Sequence, residues 1–493
     1  MWGEGSPADL LAGSGGWNDV SFHGSRQIPT PNIDALAANG VVLQRHYSTP
    51  VCTPSRSAFF TSRYPPRTDL GYGPLPPAGK GALPLRFEVL PQWLKRLGYS
   101  THMVGKWHLG YKSLEHTPTW RGFDTFFGYY NGQEFYFNHT TASEDGQHCG
   151  LDLWRNVGNT TQAVTDLNGV YSTYAFTDEA KRIIAKHNPA KSTGSSRYRD
   201  SSSCSSSGSV WCPNEKKSLG ADKLDDVNTR IGALAVMDRS IGELLAALQA
   251  HGMLADSVVA FVSDNGAAPL KATYPANAGS NWPLRGVKKG VWEGAVRTPA
   301  VFWHAHLRGP LPRPPSQQMM HLVDWAPTFY AAAGGDVSHL GDVDGKDQWE
   351  ALSTGNGNQR EDVILVIEGW NDESAIISGR YKLVNRSQSY SDPLLDSRVA
   401  PPEGEPPVDL DLDSLMESSQ AWKALQQATF DAGTSDRSAP RANWRQELII
   451  KCSNDNTSED FSENFDAYDT VFVFDVFSDP CELNNLASTE PEV

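Results

Sequence analysis

The chain has 493 residues, 39% of them hydrophobic and 20% charged, with 15 Trp and 19 Phe. That is material for a large core and excludes wholesale disorder, while no stretch approaches the roughly 18 consecutive apolar residues of a membrane-crossing helix. Forty-two Lys and Arg against 58 Asp and Glu give a net charge of −16, opposite to the basic balance of a nucleic-acid binder.

Taken in order, residues 1–16 (MWGEGSPADLLAGSGG) have no basic start with an apolar run, so they resemble no signal peptide, and they make no good strand. Residues 32–40 (NIDALAANG) predict a short helix with a Gly stop, and 88–98 another. Residues 99–104 predict a buried strand, and 174–187 a helix. The stretch 223–251 predicts a long helix, with Leu234, Met237, Ile241, Leu244, Leu245 and Leu248 at three- and four-residue spacing. Residues 257–263 (SVVAFVS) are a continuous apolar run, as in a strand covered on both faces, and end at Asp264-Asn265-Gly266. Helices alternating with such strands point to an α/β domain with its site at the carboxyl ends of the strands.

Residues 191–209 are mostly Ser and predict a flexible loop, taken as about 191–212. Residues 394–407, rich in Pro and acid, predict another. Beyond about residue 340 the signals turn β-like at 363–368, 375–384 and 470–477, so 1–340 is expected to form the catalytic domain and 341–493 a smaller C-terminal sheet domain.

Chemistry concentrates around Cys52. The run Cys52-Thr-Pro54-Ser55-Arg56 precedes a predicted helix at 57–63. Free N–H groups at a helix start attract anions, and a guanidinium fork suits a tetrahedral oxyanion. Taken alone, the Cys reads as a buried thiol before an ordinary helix, and the other motifs reverse that reading. Lys106 and His108 lie two apart, so on a strand both point the same way. Asp264 and Asn265 offer hard oxygen ligands, although Asp-Asn-Gly is also a common turn.

These motifs together resemble the type I sulfatase family, within it the arylsulfatase B or N-acetylgalactosamine-4-sulfatase group. The likeness rests on C-x-P-S-R at Cys52–Arg56, G-K-W-H-L-G at Gly105–Gly110, D-N-G at Asp264–Gly266 and N-W-P-L-R-G-x-K at Asn281–Lys288, followed by Trp292-Glu293-Gly294. It runs, with gaps, from about residue 17 to the C-terminus. It implies an alkaline-phosphatase-like α/β fold: a large, mixed, mostly parallel sheet flanked by helices, plus a smaller antiparallel sheet. It implies hydrolysis of sulfate monoesters of a sulfated glycan or aryl sulfate. It also implies a formylglycine derived from Cys52 by a formylglycine-generating enzyme. One hydroxyl of its hydrate would take the sulfate; loss of the other's proton would expel it, a release that a plain Ser lacks. Arg56 would then stabilise this group, Lys106 and Lys288 bind sulfate, and His108 accept a proton. Asp264, Asn265 and the group at Cys52 would hold one divalent cation, Ca²⁺.

Two departures stand against the family pattern. Gly13 and Ser14 occupy the place of an Asp pair that ligates the cation, and Asp19 belongs to the segment after that pair. The family's strand with a sulfate-binding His is expected after the helix ending near His187, where the Ser-rich run begins; His187 itself is expected to face solvent. Ser62 stands where the family has Gly. Loss of strand and ligand together points to damage at a reading frame or exon boundary, and predicts that both regions pack poorly. The alternative reading is a catalytically impaired sulfatase-like protein that at most binds sulfated carbohydrate. Sequons at Asn138, Asn159, Asn385 and Asn456 favour the secretory pathway, with a lysosomal or extracellular destination. Six cysteines leave five besides Cys52, with no connectivity legible.

Overall fold

Seven consecutive residues, Ser257–Ser263, run fully buried through the middle of the molecule, as their unbroken apolar sequence requires. In this computed structural model the described residues are 6–12, 15–71, 73–143, 146–187, 200–204, 227–269, 279–307, 316–357, 360–367, 369, 372–386, 393–400, 410–434, 443–452 and 465–488. The strands are β1 (Ser6–Ala12), β2 (Val41–Tyr47), β3 (Ser100–Lys106), β4 (Thr125–Tyr129), β5 (Thr140–Ala142), β6 (Cys149–Leu151), β7 (Trp154–Val157), β8 (Thr160–Ala163), β9 (Asp200–Cys204), β10 (Ser257–Ser263), β11 (Ala300–His304), β12 (Ser316–His321), β13 (Asp362–Val366), β14 (Glu373–Ser378), β15 (Tyr381–Arg386) and β16 (Val471–Asp475). The helices are α1 (Pro31–Asn39), α2 (Cys52–Thr61), α3 (Leu90–Arg96), α4 (Ser172–Lys186), α5 (Val227–Ala250), α6 (Glu293–Val296), α7 (Trp325–Ala332), α8 (Trp349–Thr354), α9 (Pro393–Asp396), α10 (Leu412–Ser418) and α11 (Gln420–Asp431).

Ten strands form one mixed sheet in the order β12-β2-β11-β10-β1-β9-β3-β4-β7-β8. The run β10-β1-β9-β3-β4 is parallel throughout, so its carboxyl ends share one edge. β2 is antiparallel to β11, which is antiparallel to β10, so β2 also ends at that edge. A second sheet, β13-β14-β15-β16, is antiparallel. The expected α/β architecture with a small antiparallel sheet is therefore present.

Two corrections concern strands. The sequence suggests none before Trp17 and none in the Ser-rich run, yet both exist. β1 pairs with β10 over seven residues, from Ser6↔Ser257 to Ala12↔Ser263. β9 pairs with β3 from Ser100↔Asp200 to Val104↔Cys204, and meets β1 at Asp9↔Ser203. The physical reason is that a ladder uses only backbone N–H and C=O groups. The space between β10 and β3 presents unpaired rows of both, and a segment entering it is held whatever its side chains. Backbone ladders are thus present in both regions, while the expected poor packing of their side chains lies outside the described residues. A third correction is local: the β signal at 375–384 is not one strand but β14 and β15, turning at Gly379 (φ 57°).

Two cores support the sheets. The larger includes Leu244 and Leu245 of α5, and takes in Met416 and Leu425 of α10 and α11, so the chain returns to the large sheet after residue 400. The smaller joins Val384, Phe472 and Phe474 to Tyr47, Val291 and Trp292. Cys452 and Cys481 are disulfide-bonded, and Cys149 is also in a disulfide.

The N-terminus of α1 has no side-chain cap of its own. Asp238 of α5 supplies one, accepting from Asn32 N (3.0 Å), Ile33 N (2.9 Å) and Asn32 Nδ2 (2.8 Å). Gly242 permits the contact, since a Cβ there would lie 2.1 Å from Asn32 Oδ1. Burial pushes the Asp238 carboxyl up from 3.8 to about 7. The folded chain therefore keeps a proton that the unfolded chain releases; this stabilisation is full at low pH and is lost as pH rises through about 7. Asp238→Ala should lower stability by about 2 kcal/mol at pH ~5 in urea unfolding, and by less at pH ~8. Equal losses at both would contradict this.

Candidate active site

Cys52 is the first residue of α2, after an extended Val51 (φ −147°, ψ 157°). All ten residues of this helix are buried. The Thr49 and Ser55 hydroxyls, 2.7 Å apart, brace the turn that delivers Cys52. Cys52 is buried and is the free cysteine among the described residues. Pro54 falls third in the helix, still within the turn where its missing N–H costs little. At the other end Ser62 has φ 57°, a left-handed position that Gly takes without strain. Its hydroxyl compensates by donating to Val323 O (2.9 Å), which accounts for a Ser there.

Arg56 ties three elements together. Its Nη1 donates to Lys106 O at the end of β3 (2.7 Å), and its Nε to Asp264 Oδ2 just after β10 (3.3 Å). Lys106 is 1% exposed. His108 does not follow the strand alternation expected of it, because β3 ends at Lys106 and His108 lies at φ 55°. A left-handed turn carries it instead: its N donates to Tyr130 O (3.1 Å) and its Nε2 lies 3.0 Å from Leu75 O. Lys288 sits half-buried on the turn following the cis Trp282–Pro283 bond, its N bonded to Ala267 O (2.9 Å).

These groups act on one another through charge. Burial alone would raise the Cys52 thiol; the charges of Lys106, His108 and Lys288 outweigh it and hold the thiol well below its ordinary value. Burial lowers Lys106, while negative charge at Cys52 and Asp264 opposes that shift. A buried position at a helix start, surrounded by cations, stabilises negative charge.

Asp264 and Asn265 are both fully buried. Asp264 Oδ1 and Asn265 Oδ1 have no hydrogen-bond partner, and neither do Arg56 Nη2 and His108 Nδ1. Orphaned buried atoms of this kind mark a place for a ligand. Two hard oxygens on one turn fit a divalent cation, although they are few of the six to eight such an ion takes. Among the described residues no three His, Cys, Asp or Glu cluster as a metal site. Asp19 is occupied elsewhere, accepting from Gly16 N (2.7 Å) and Ser280 N (2.9 Å). Asp9 lies within β1, and residues 13 and 14 lie outside the described residues. β9 contains no His, and His187 lies half-buried at the C-cap of α4.

Sequence reasoning named Asn281 only as part of a motif. Its side chain donates to Ala267 O (3.1 Å) and Gly286 O (3.1 Å) and accepts from Ala267 N (2.8 Å), so it fastens the Asp264–Gly266 turn to the Lys288 turn. Its place at the head of the N-W-P-L-R-G run was the available signal. Of the sequons, Asn159 and Asn385 are exposed and Asn138 is half-buried, its Oδ1 accepting from Thr140 N and Oγ1. Asn456 lies outside the described residues.

The chain is similar to known proteins in sequence and in fold. The sequence profile described as Sulfatase matches residues 10–335. Arylsulfatase J of Mus musculus is 36% identical over 408 residues, which cover 78% of this chain and 64% of that protein. N-acetylgalactosamine-6-sulfatase of Sus scrofa is 29% identical over 404 residues, covering 76% and 70%. Among solved structures, the PsFucS1 sulfatase from Pseudoalteromonas sp. superposes with a TM-score of 0.62 at 25% identity, over 81% of this chain and 83% of that one.

If the Asp264–Asn265 turn holds a cation, millimolar Ca²⁺ should raise the melting temperature by about 1–3 °C, by mass action on the folded state. Asn265→Ala should abolish the rise. A wild-type melt indifferent to Ca²⁺ and Mg²⁺ alike would refute the site.

Proposed function

The chain belongs to the sulfatase family, whose profile spans residues 10–335, and on that premise we propose that it hydrolyses sulfate monoesters of a sulfated glycan or aryl sulfate. The observation that carries the reading is the surrounding of Cys52: a thiol held well below its ordinary value by Lys106, His108 and Lys288. A sulfate ester is a persistent anion whose oxygens shield the sulfur. Its hydrolysis requires those oxygens to be neutralised, a nucleophile, and a path for protons.

The Cys52-derived formylglycine, formed by a formylglycine-generating enzyme, supplies a geminal diol: one hydroxyl accepts the sulfate and the other permits its release. Lys106 and Lys288 bind sulfate oxygens. His108 takes a proton at position 52, its unpartnered Nδ1 being available for that exchange. Arg56 orients position 52 and holds Asp264. Asp264 and Asn265, with an oxygen at position 52, would hold a divalent cation, Ca²⁺, which would polarise the sulfate. Passage through the secretory pathway and glycosylation at Asn138, Asn159, Asn385 and Asn456 accompany this reading. So does a division at about residue 340, with α10 and α11 reaching back to the large core.

Co-expression with a formylglycine-generating enzyme should yield a Cys52 peptide whose mass is that of formylglycine, together with sulfate release from an aryl sulfate. Cys52→Ala should abolish release. His108→Ala should lower kcat about 10²–10⁴-fold and Lys288→Ala about 10²–10³-fold. A modified peptide in a protein that binds sulfated glycan but releases no sulfate would favour a binding role.

A further inference from the structure

Lys382 lies on the inward face of β15, fully buried, while its neighbour Leu383 is 42% exposed. A lysine in that place requires buried anions. Two are present. Its Nζ lies 3.0 Å from Glu293 Oε1 and 2.7 Å from Glu482 Oε1, and both carboxylates are fully buried. Glu482 Oε2 accepts from Glu293 N (2.7 Å), and Glu293 Oε2 from Tyr47 OH (3.1 Å) and Arg297 Nη1 (3.4 Å). Lys382 and Arg297 thus face two buried carboxyl groups, one on α6 and one on the segment after β16, and burial pushes that of Glu482 up to about 7. Glu482 also holds φ 56°, an uncommon conformation for a residue with a side chain.

The cluster grips α6, and the backbone of α6 touches three segments of the candidate site. Gly266 N donates to Ala295 O (2.8 Å), directly after Asp264 and Asn265. Ser48 N donates to Val296 O (2.8 Å), four residues before Cys52. Gly294 N donates to Arg285 O (2.6 Å), three residues before Lys288. The approach is close enough that a Cβ on Gly266 would lie 2.0 Å from Gly294 O.

We propose that Lys382, Glu293 and Glu482 form a positioning device through which the C-terminal sheet sets the Asp264–Gly266, Cys52 and Lys288 segments relative to one another. Among the described contacts their side chains meet one another, Tyr47, Arg297 and the backbone of α6. They act through α6, so a sulfatase-family site of this design is complete only with the small sheet in place. The catalytic consequence rests on the function proposed above; the structural one does not.

Two readouts on the full chain test this, with Lys382→Met as the variant. Hydrogen exchange should show peptides covering 264–269 and 284–292 losing protection about tenfold, with 100–106 and 125–129 unchanged. On an aryl sulfate, kcat per folded molecule should fall at least tenfold while KM changes less than twofold. Glu482→Gln, which keeps the shape, serves if Lys382→Met does not fold, and should move both readouts in the same direction. Unchanged exchange in the two peptides, with kcat preserved in the folded fraction, would overturn the proposal and leave only a structural ion cluster. A wild type that releases no sulfate would defeat the function; the exchange result would still decide the positioning role.

Discussion

Cations held close together out of water are the constraint on which the rest of this structure depends. Arg56 and Lys106 are each 1% exposed, with half-buried Lys288 beside them. Left alone, such a group repels itself and pays for desolvation. Two features make it tolerable. Asp264 answers Arg56 directly, and Cys52 at the start of α2 concentrates negative charge where the cations point. An anionic ligand adds to the balance, so a site built this way favours anions over neutral ligands. The same logic accounts for orphaned atoms on Arg56, His108, Asp264 and Asn265: they are satisfied by what binds.

Holding these groups in place is the work of backbone contacts rather than of the groups themselves. Parallel strands bring the residues after β3 and β10 to one edge. Asn281 locks two turns by side-chain bonds to their backbones. α6, only four residues long, lies where three segments of the site and the C-terminal sheet meet. Motif residues that look catalytic by position, Asn281 and Glu293 among them, act as supports. That is consistent with a chemistry that tolerates little displacement of its charged groups.

Much of the fold was legible. The six apolar residues spaced along 234–248 belong to α5, with Ile241, Leu244, Leu245 and Leu248 buried. The run at 257–263 is the central strand β10. The failures have a shared cause. β1 and β9 were missed because strand signals are read from side-chain patterns, while a central strand flanked by partners is held by its backbone. The path of His108 was missed because alternation holds only within a strand, and β3 stops two residues earlier. Lys382 gave no signal of burial because its charge masks the inward face that its strand register imposes.

The sequence by itself determined which chemical groups are available. Cys52, Arg56, Lys106, His108, Asp264, Asn265 and Lys288 stand in motifs whose residue types and spacing belong to one family. It determined too that Gly13 and Ser14 carry no carboxylate, whatever the backbone does there. Only the tertiary structure decided that segments 200 residues apart meet around one thiol, and that a serine run completes a central sheet. It alone decided that a lysine of the small sheet reaches the support beneath the site. The physical reason is that residue chemistry is local, whereas ladders, burial and charge balance depend on partners far along the chain.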